Sequence, residues 1–283
     1  MKKCVLVISL SLMAIFFRQG DAISSEIKKQ RIISLAPSTT EILFSLGLDE
    51  EIVGVTTFCN FPPEALNKEK IGTFSQPSIE KILLLKPDVI FAAGLEQAFT
   101  VERLRELKLK VYVTYPSDIE ELFDSIKVIG ELTYREKEAL ILINEMKTKI
   151  DRIRIETEVI PQEDKLKVFV EIFYDPLITA GKTSFVDGLI DLAGGINIAT
   201  DMTRDYGYFS VEEVIRRNPD CIILGHNAKE KEISAIKKRL GWEEISAIKN
   251  NRIYGDINPD LFLRPGPRLV KGLEEIYRRL YPR

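Results

Sequence analysis

Histidine and tryptophan each occur once in 283 residues, as His226 and Trp242, and cysteine three times, as Cys4, Cys59 and Cys221. One histidine leaves little material for a catalytic triad, a zinc site or a histidine-rich metal trap. An exported small domain held by disulfides would carry more cysteine. Cys59 and Cys221 lie in different halves of the chain and are expected as buried small apolar residues. His226 is expected as an ordinary residue at a strand end. No Gly-x-Gly-x-x-Gly follows a strand-like run, and no Gly-x-Ser-x-Gly is present. Gly181-Lys182-Thr183 resembles the end of a phosphate-binding loop, but Pro176 stands where that loop needs its first glycine. Basic residues do not exceed acidic ones, which argues against nucleic acid as a partner. These absences favour a binder over an enzyme.

Only one apolar run is long. Val5 to Phe17 follows the basic Met1-Lys2-Lys3 and precedes the small residues of Gly20-Asp21-Ala22. This is the pattern of a secretory signal peptide over residues 1–22, and the run is short for a membrane span of ~20 residues. Cys4 precedes the run and so cannot be a lipidated cysteine after it. The remaining 261 residues hold 37 basic and 42 acidic side chains, a net charge of −5.

What is present is a repeat. Ser78-Ile79-Glu80-Lys81-Ile82 leads to Lys86-Pro87-Asp88-Val89-Ile90, and Ser210-Val211-Glu212-Glu213-Val214 leads to Asn218-Pro219-Asp220-Cys221-Ile222, without a gap between the two alignments. In each, serine caps a helix, an acid complements its dipole, the residue before proline ends it, and an apolar run suits a strand buried on both faces. Upstream, each half reads strand, small-residue loop, helix: 31–35, 36–38 and 39–46 in the first, 167–172, 179–181 and 184–192 in the second. Late strands are expected at 110–114 and 252–255. The fold class is therefore α/β, two lobes of similar plan with mostly parallel sheets. The lobes are assigned to 31–116 and 164–283, with a helical connector over 117–160. Ser117–Glu120 and Thr133–Glu136 read as capping boxes. The second opens a long helix to about Thr157 with Leu140, Ile143, Met146, Ile150 and Ile153 on one face. Lobes joined by so stiff a rod should hinge little.

In open α/β sheets, ligands sit beyond the carboxyl ends of the strands. That rule selects the loops at Pro37-Ser38, 57–61, 73–75, 94–96, Tyr174, 178–179, 206–209 and 260–264. Phe58, Phe61, Phe74, Tyr206, Tyr208 and Phe262 all fall in them, and Phe58, Phe74 and Tyr206 are expected to face a ligand. Asp260 and Arg264 flank Phe262 and either fix a polar edge of the ligand or form a local salt bridge.

Residues 31–283 resemble the iron-siderophore/vitamin B12 family of periplasmic binding proteins, and within it the cobalamin binders. The resemblance rests on 31–41 (Arg-Ile-Ile-Ser-Leu-Ala-Pro-Ser-Thr-Thr-Glu), 58–63, 73–88, 179–182 and 260–268, in that order. It implies two Rossmann-like lobes bridged by one long α-helix, with ligand held in the cleft by Pro37, Phe58, Phe74, Tyr206, Asp260 and Arg264. Phe74 and Tyr206 stand where the cobalamin binders have Trp, and Phe58 where they have Tyr. The implied ligand is cobalamin or a related corrinoid, with haem or a ferric siderophore as alternatives. The implied partner is the permease dimer of an ABC importer, met through Glu80 and Glu212. The expected protein is a periplasmic monomer without catalytic residues or bound metal. An exported enzyme on the same scaffold and a sensor partner are the rival readings.

Overall fold

Each copy of the repeat folds into the same stitched unit. Ser78 Oγ accepts from the Lys81 amide at 3.3 Å, and Ser210 Oγ from the Glu213 amide at 3.1 Å. Lys86 and Asn218, at equivalent positions, both take left-handed φ values of 45° and 48° ahead of the proline. The aspartate after each proline then ties the unit to the first strand of its lobe. Asp88 accepts from the Arg31 amide at 2.8 Å and donates its own amide to the Arg31 carbonyl at 2.8 Å. Asp220 does the same with Lys167 at 2.9 and 2.8 Å. The repeated Pro-Asp is thus a register lock between the helix exit and the central strand.

These units lie in a computed structural model that describes residues 29–282. The expected signal peptide falls outside the described residues. The first lobe runs β1 (Ile32–Ser34), α1 (Pro37–Ser45), β2 (Ile52–Val55), α2 (Ile79–Leu84), β3 (Val89–Ala93), α3 (Ala98–Glu106) and β4 (Val111–Thr114). Its sheet has the order β2-β1-β3-β4, all parallel. Two helices follow, α4 (Ile119–Thr133) and α5 (Glu136–Thr157). The second lobe runs β5 (Lys167–Phe173), β6 (Ile178–Ala180), α6 (Phe185–Leu192), β7 (Ile196–Asn197), β8 (Tyr206–Tyr208), α7 (Val211–Arg217), β9 (Cys221–Leu224), α8 (Glu230–Lys237), α9 (Ser246–Lys249) and β10 (Ile253–Tyr254). Its sheet has the order β10-β9-β5-β6-β8, with β7 also on β5. Strands β10, β9, β5 and β7 are parallel, while β6 and β8 run antiparallel. The chain closes with α10 (Leu269–Leu280), which returns to pack on α5 and α6.

Several local expectations need correction. The segment 178–180 is a strand rather than a loop, with Thr179 fully buried and its hydroxyl bonded to the Val170 carbonyl at 2.7 Å. Tyr206 and Tyr208 sit on edge strand β8, not in a loop. Helix α4 is capped by Asp118, whose carboxylate takes the Glu121 amide at 2.9 Å, while Glu121 accepts from the Ser117 amide and hydroxyl, so the expected Ser117–Glu120 box does not form. The second is absent: Thr133 ends α4 with its hydroxyl on the Ile129 carbonyl, and Tyr134 turns the chain at φ 59°. Leu140 is 54% exposed, and Ala139 takes its place on the buried face with Ile143, Met146, Ile150 and Ile153.

The connector is therefore a helical pair in which α5, about 33 Å long at 1.5 Å per residue, crosses between the lobes. Its apolar face is not a seam of its own. Ile143, Met146, Ile150 and Ile153 belong to one continuous core that includes Ile32 and Phe91 of the first lobe and Val168, Leu189 and Leu273 of the second. Two further clusters cover the opposite sheet faces, around Ile90 and Leu104 and around Phe169 and Trp242. Cys59 and Cys221 are free and buried, and burial pushes the Cys221 thiol up to about 12.

If the aspartate stitches lock register, Asp88→Ala and Asp220→Ala should each cost about 1 kcal/mol. The losses should add in the double variant, because the two sites share no partner. Thermal melting of the three variants checks this.

Candidate functional site

Two arginines from the far end of the chain reach the first lobe's opening helix. Glu41, on α1, is 2% exposed. Arg268, the residue before α10, grips it with two bonds of 2.8 and 2.6 Å, and Arg264 approaches it at 3.6 Å. The Arg268 guanidinium also lies 3.8 Å from the centroid of the Phe61 ring. Arg264 donates to Asn60 at 2.8 Å and pairs with Asp260 at 2.9 Å. The segment after β10 is thereby clamped onto the first lobe. A buried pair of this kind is costly to break, since the survivor is left charged and dry.

The clamp closes one side of a cavity of about 300 Å³ between the lobes. Pro37, Phe74 and Tyr115 line it from the first lobe, and Phe185, Tyr206 and Arg264 from the second. Its charged lining consists of Glu96, Asp205 and Arg264. Four of the six residues expected to hold ligand are thus brought together: Pro37, Phe74, Tyr206 and Arg264. Phe58 and Asp260 do not line the cavity. Phe58 is 59% exposed in the loop after β2, and Asp260 stands behind Arg264 as its ion-pair partner. Among the other loop aromatics, Phe262 is fully buried in the core and Phe61 lies under Arg268. His226 follows β9, with Nε2 3.6 Å from the buried Glu171 carboxylate.

Sequence reasoning missed three residues here. Gln97 is fully buried and makes three bonds. Its amide donates to the Leu35 and Phe74 carbonyls, each at 2.8 Å, and its Oε1 accepts from the Ala93 amide at 3.0 Å. It joins the ends of β1 and β3 to the loop that carries Phe74. The strand-end rule selected 94–96 and stopped one residue short of it. Gly94 makes the turn between them at φ 78°, a conformation that side chains disfavour. Tyr115 and Asp205 form the opposite doorway. The Tyr115 hydroxyl donates to Asp205 across the lobes at 3.4 Å, and Thr183 donates to the same carboxylate at 2.6 Å. Tyr206 keeps 41% of its surface open, yet burial and the neighbouring Asp205 charge push its phenol up to about 12.

Glu80 and Glu212 occupy the first turns of α2 and α7, exposed in both lobes. Neither carboxylate forms an ion pair among the described residues, which hold no helix long and apolar enough to cross a membrane.

Glu41→Ala strips Arg268 of its partner and should lower stability by about 3 kcal/mol. Replacing exposed Glu64, by contrast, should change stability by less than about 0.5 kcal/mol. Chemical denaturation of both variants measures the difference.

With this geometry described, the chain can be compared with known proteins. It matches the family described as periplasmic binding protein over residues 32–258. It is 35% identical to an ABC transporter substrate-binding lipoprotein of Bacillus subtilis, over 90% of this chain and 82% of that one. Among solved structures, a possible iron-binding (periplasmic solute-binding) protein of Staphylococcus epidermidis superposes with a TM-score of 0.78 at 34% identity, covering 90% of this chain and all of the other. The periplasmic vitamin B12 binding protein of Vibrio cholerae superposes with a TM-score of 0.77 at 27% identity, over 89% and 96% of the two chains. A match over most of the chain, on a fold of two lobes and a bridging helix, establishes that this chain belongs to the periplasmic binding protein family.

Proposed function

We propose that the protein is the solute-binding component of an ABC importer, and that it captures a cobalamin-type corrinoid in the inter-lobe cleft. The observation that carries this reading is the make-up of the cleft lining. Aromatic side chains from both lobes, Phe74 and Tyr115 on one side and Phe185 and Tyr206 on the other, converge on one cavity. The only cation in that lining, Arg264, is already balanced by Asp260 and Glu41. A planar macrocycle with neutral amide side chains suits such a site. Its ring faces stack on the aromatics, and its amides meet the remaining guanidinium donors of Arg264, which has five N–H groups in all.

The alternatives fit the lining less well. Haem and the carboxylate and catecholate siderophores are anionic, and the cleft offers Glu96 and Asp205 against one neutralised arginine. Glu171 and Arg239 absorb the environment of His226, which does not line the cleft. The cleft lining holds no histidine, cysteine or lysine to act as nucleophile or strong base, and binding without turnover is the activity we expect.

Delivery follows from the repeat. Glu80 and Glu212 are equivalent acids, one per lobe, exposed and without ion-pair partners among the described residues. Their first-turn position is worth only about 0.3–1 kcal/mol to each helix. A pseudo-symmetric pair of this kind suits a two-fold permease dimer that offers basic side chains. The protein acts as an exported monomer in this reading, and it carries the corrinoid as cargo rather than as a cofactor.

Titration with cyanocobalamin, followed by its visible spectrum, should saturate at one ligand per chain. Phe74→Ala and Tyr206→Ala should each weaken it about tenfold, the scale of one lost aromatic contact. Unchanged affinity in both variants would move the ligand out of the cleft. Glu80→Ala with Glu212→Ala should abolish cellular uptake while leaving the titration unaltered. Normal uptake by the double variant would remove the docking role.

A further inference from the structure

The inter-lobe cleft is not the largest cavity among the described residues. A second chamber, of about 790 Å³, lies between α4 and α5 on one side and α6 on the other. Ser117, Thr183, Ser184, Phe185 and Asp205 line both chambers, so the two meet along this ridge. The ridge is crossed by the bonds from Thr183 and Tyr115 to Asp205 already described. Pockets for drug-sized ligands run from about 300 to 1,000 Å³, and a complete corrinoid exceeds drug size. The first chamber alone is at the bottom of that range.

The wall of the second chamber has mixed polarity. Phe123, Ile150 and Leu192 give it an apolar base. Most of its charges satisfy one another or their neighbours. Arg154 meets Asp151 at 3.3 Å, Lys147 meets Glu120 at 3.8 Å, and Asp187 accepts from Asn197 at 2.8 Å. Asp118 caps α4 and Asp205 accepts from Thr183 and Tyr115, which leaves the exposed Lys182 and Asp191. One further residue points to an occupant. Gly188 sits inside helix α6, where glycine is unfavourable, and no heavy atom lies within 4 Å of where its Cβ would stand. Packing gives no reason for a glycine there. What the missing side chain leaves open is the wall of the chamber.

We propose that this chamber is an annex of the cleft that takes the polar nucleotide arm of a complete corrinoid, while the ring stays among the cleft aromatics. The inference rests on the corrinoid reading above. Lys182 is placed to meet the arm's phosphodiester, and the carboxylates of Asp187 and Asp191 to accept from its ribose hydroxyls. The cleft would then distinguish complete corrinoids from precursors that lack the arm.

The test compares cyanocobalamin with dicyanocobinamide, which has the ring but not the nucleotide, on the full chain. Gly188→Phe fills the annex and should weaken cyanocobalamin at least about tenfold, with dicyanocobinamide unchanged within about twofold. Lys182→Glu, at an exposed position, should weaken cyanocobalamin alone by about fivefold. Equal effects on the two corrinoids, or none from either Gly188→Phe or Lys182→Glu, would overturn the annex. If the unmodified protein binds neither corrinoid, the corrinoid reading itself fails and the annex with it, a result separate from the others.

Discussion

The arrangement depends on a buried carboxylate. Glu41 belongs to the first lobe, and the two arginines that reach it belong to the segment between β10 and α10 of the second. With Glu41 2% exposed and Arg268 stacked on Phe61, the carboxylate is held out of water. The contact joins the two lobes at a second place, besides the core along α5. The continuous core through Ile143, Met146 and Ile150 adds a third restraint, since closing the lobes further would have to repack close-fitted side chains. Rod, core and clamp together are expected to hold the cleft at a fixed width before any ligand arrives.

A preformed cleft has consequences for binding. Little free energy is spent on ordering the site, so affinity is set by fit and by the chemistry of the lining. Here the lining is aromatic and close to neutral, and its polar groups are held by others: Arg264 by Asp260 and Asn60, the Phe74 loop by Gln97, Asp205 by Thr183 and Tyr115. Each group that would touch a ligand is thus oriented by a partner one step away.

Much of the fold was legible because its signals are local. Ser78 and Ser210 cap helices, Pro87 and Pro219 end them, and β3 and β9 begin where the apolar runs do. The duplicated Pro-Asp marked two lobes, and its task, holding Arg31 and Lys167, explains why both copies carry the same residue. The errors occurred where tertiary contacts decide. Short strands β6 and β8 have the composition of loops and exist because each is the other's partner. Phe262 and Phe74 look alike in sequence, and only packing sends one into the core and the other to the cleft. Gln97 and Glu41 gave no sequence signal, since a buried polar residue is defined by partners up to 227 positions away.

The claim that the rest hangs on is a cleft of fixed width, and small-angle scattering measures it directly. With cyanocobalamin at saturation, the radius of gyration should stay within about 0.5 Å of its ligand-free value of about 18 Å. A contraction of about 2 Å, the signature of hinged lobes closing on their ligand, would contradict the account.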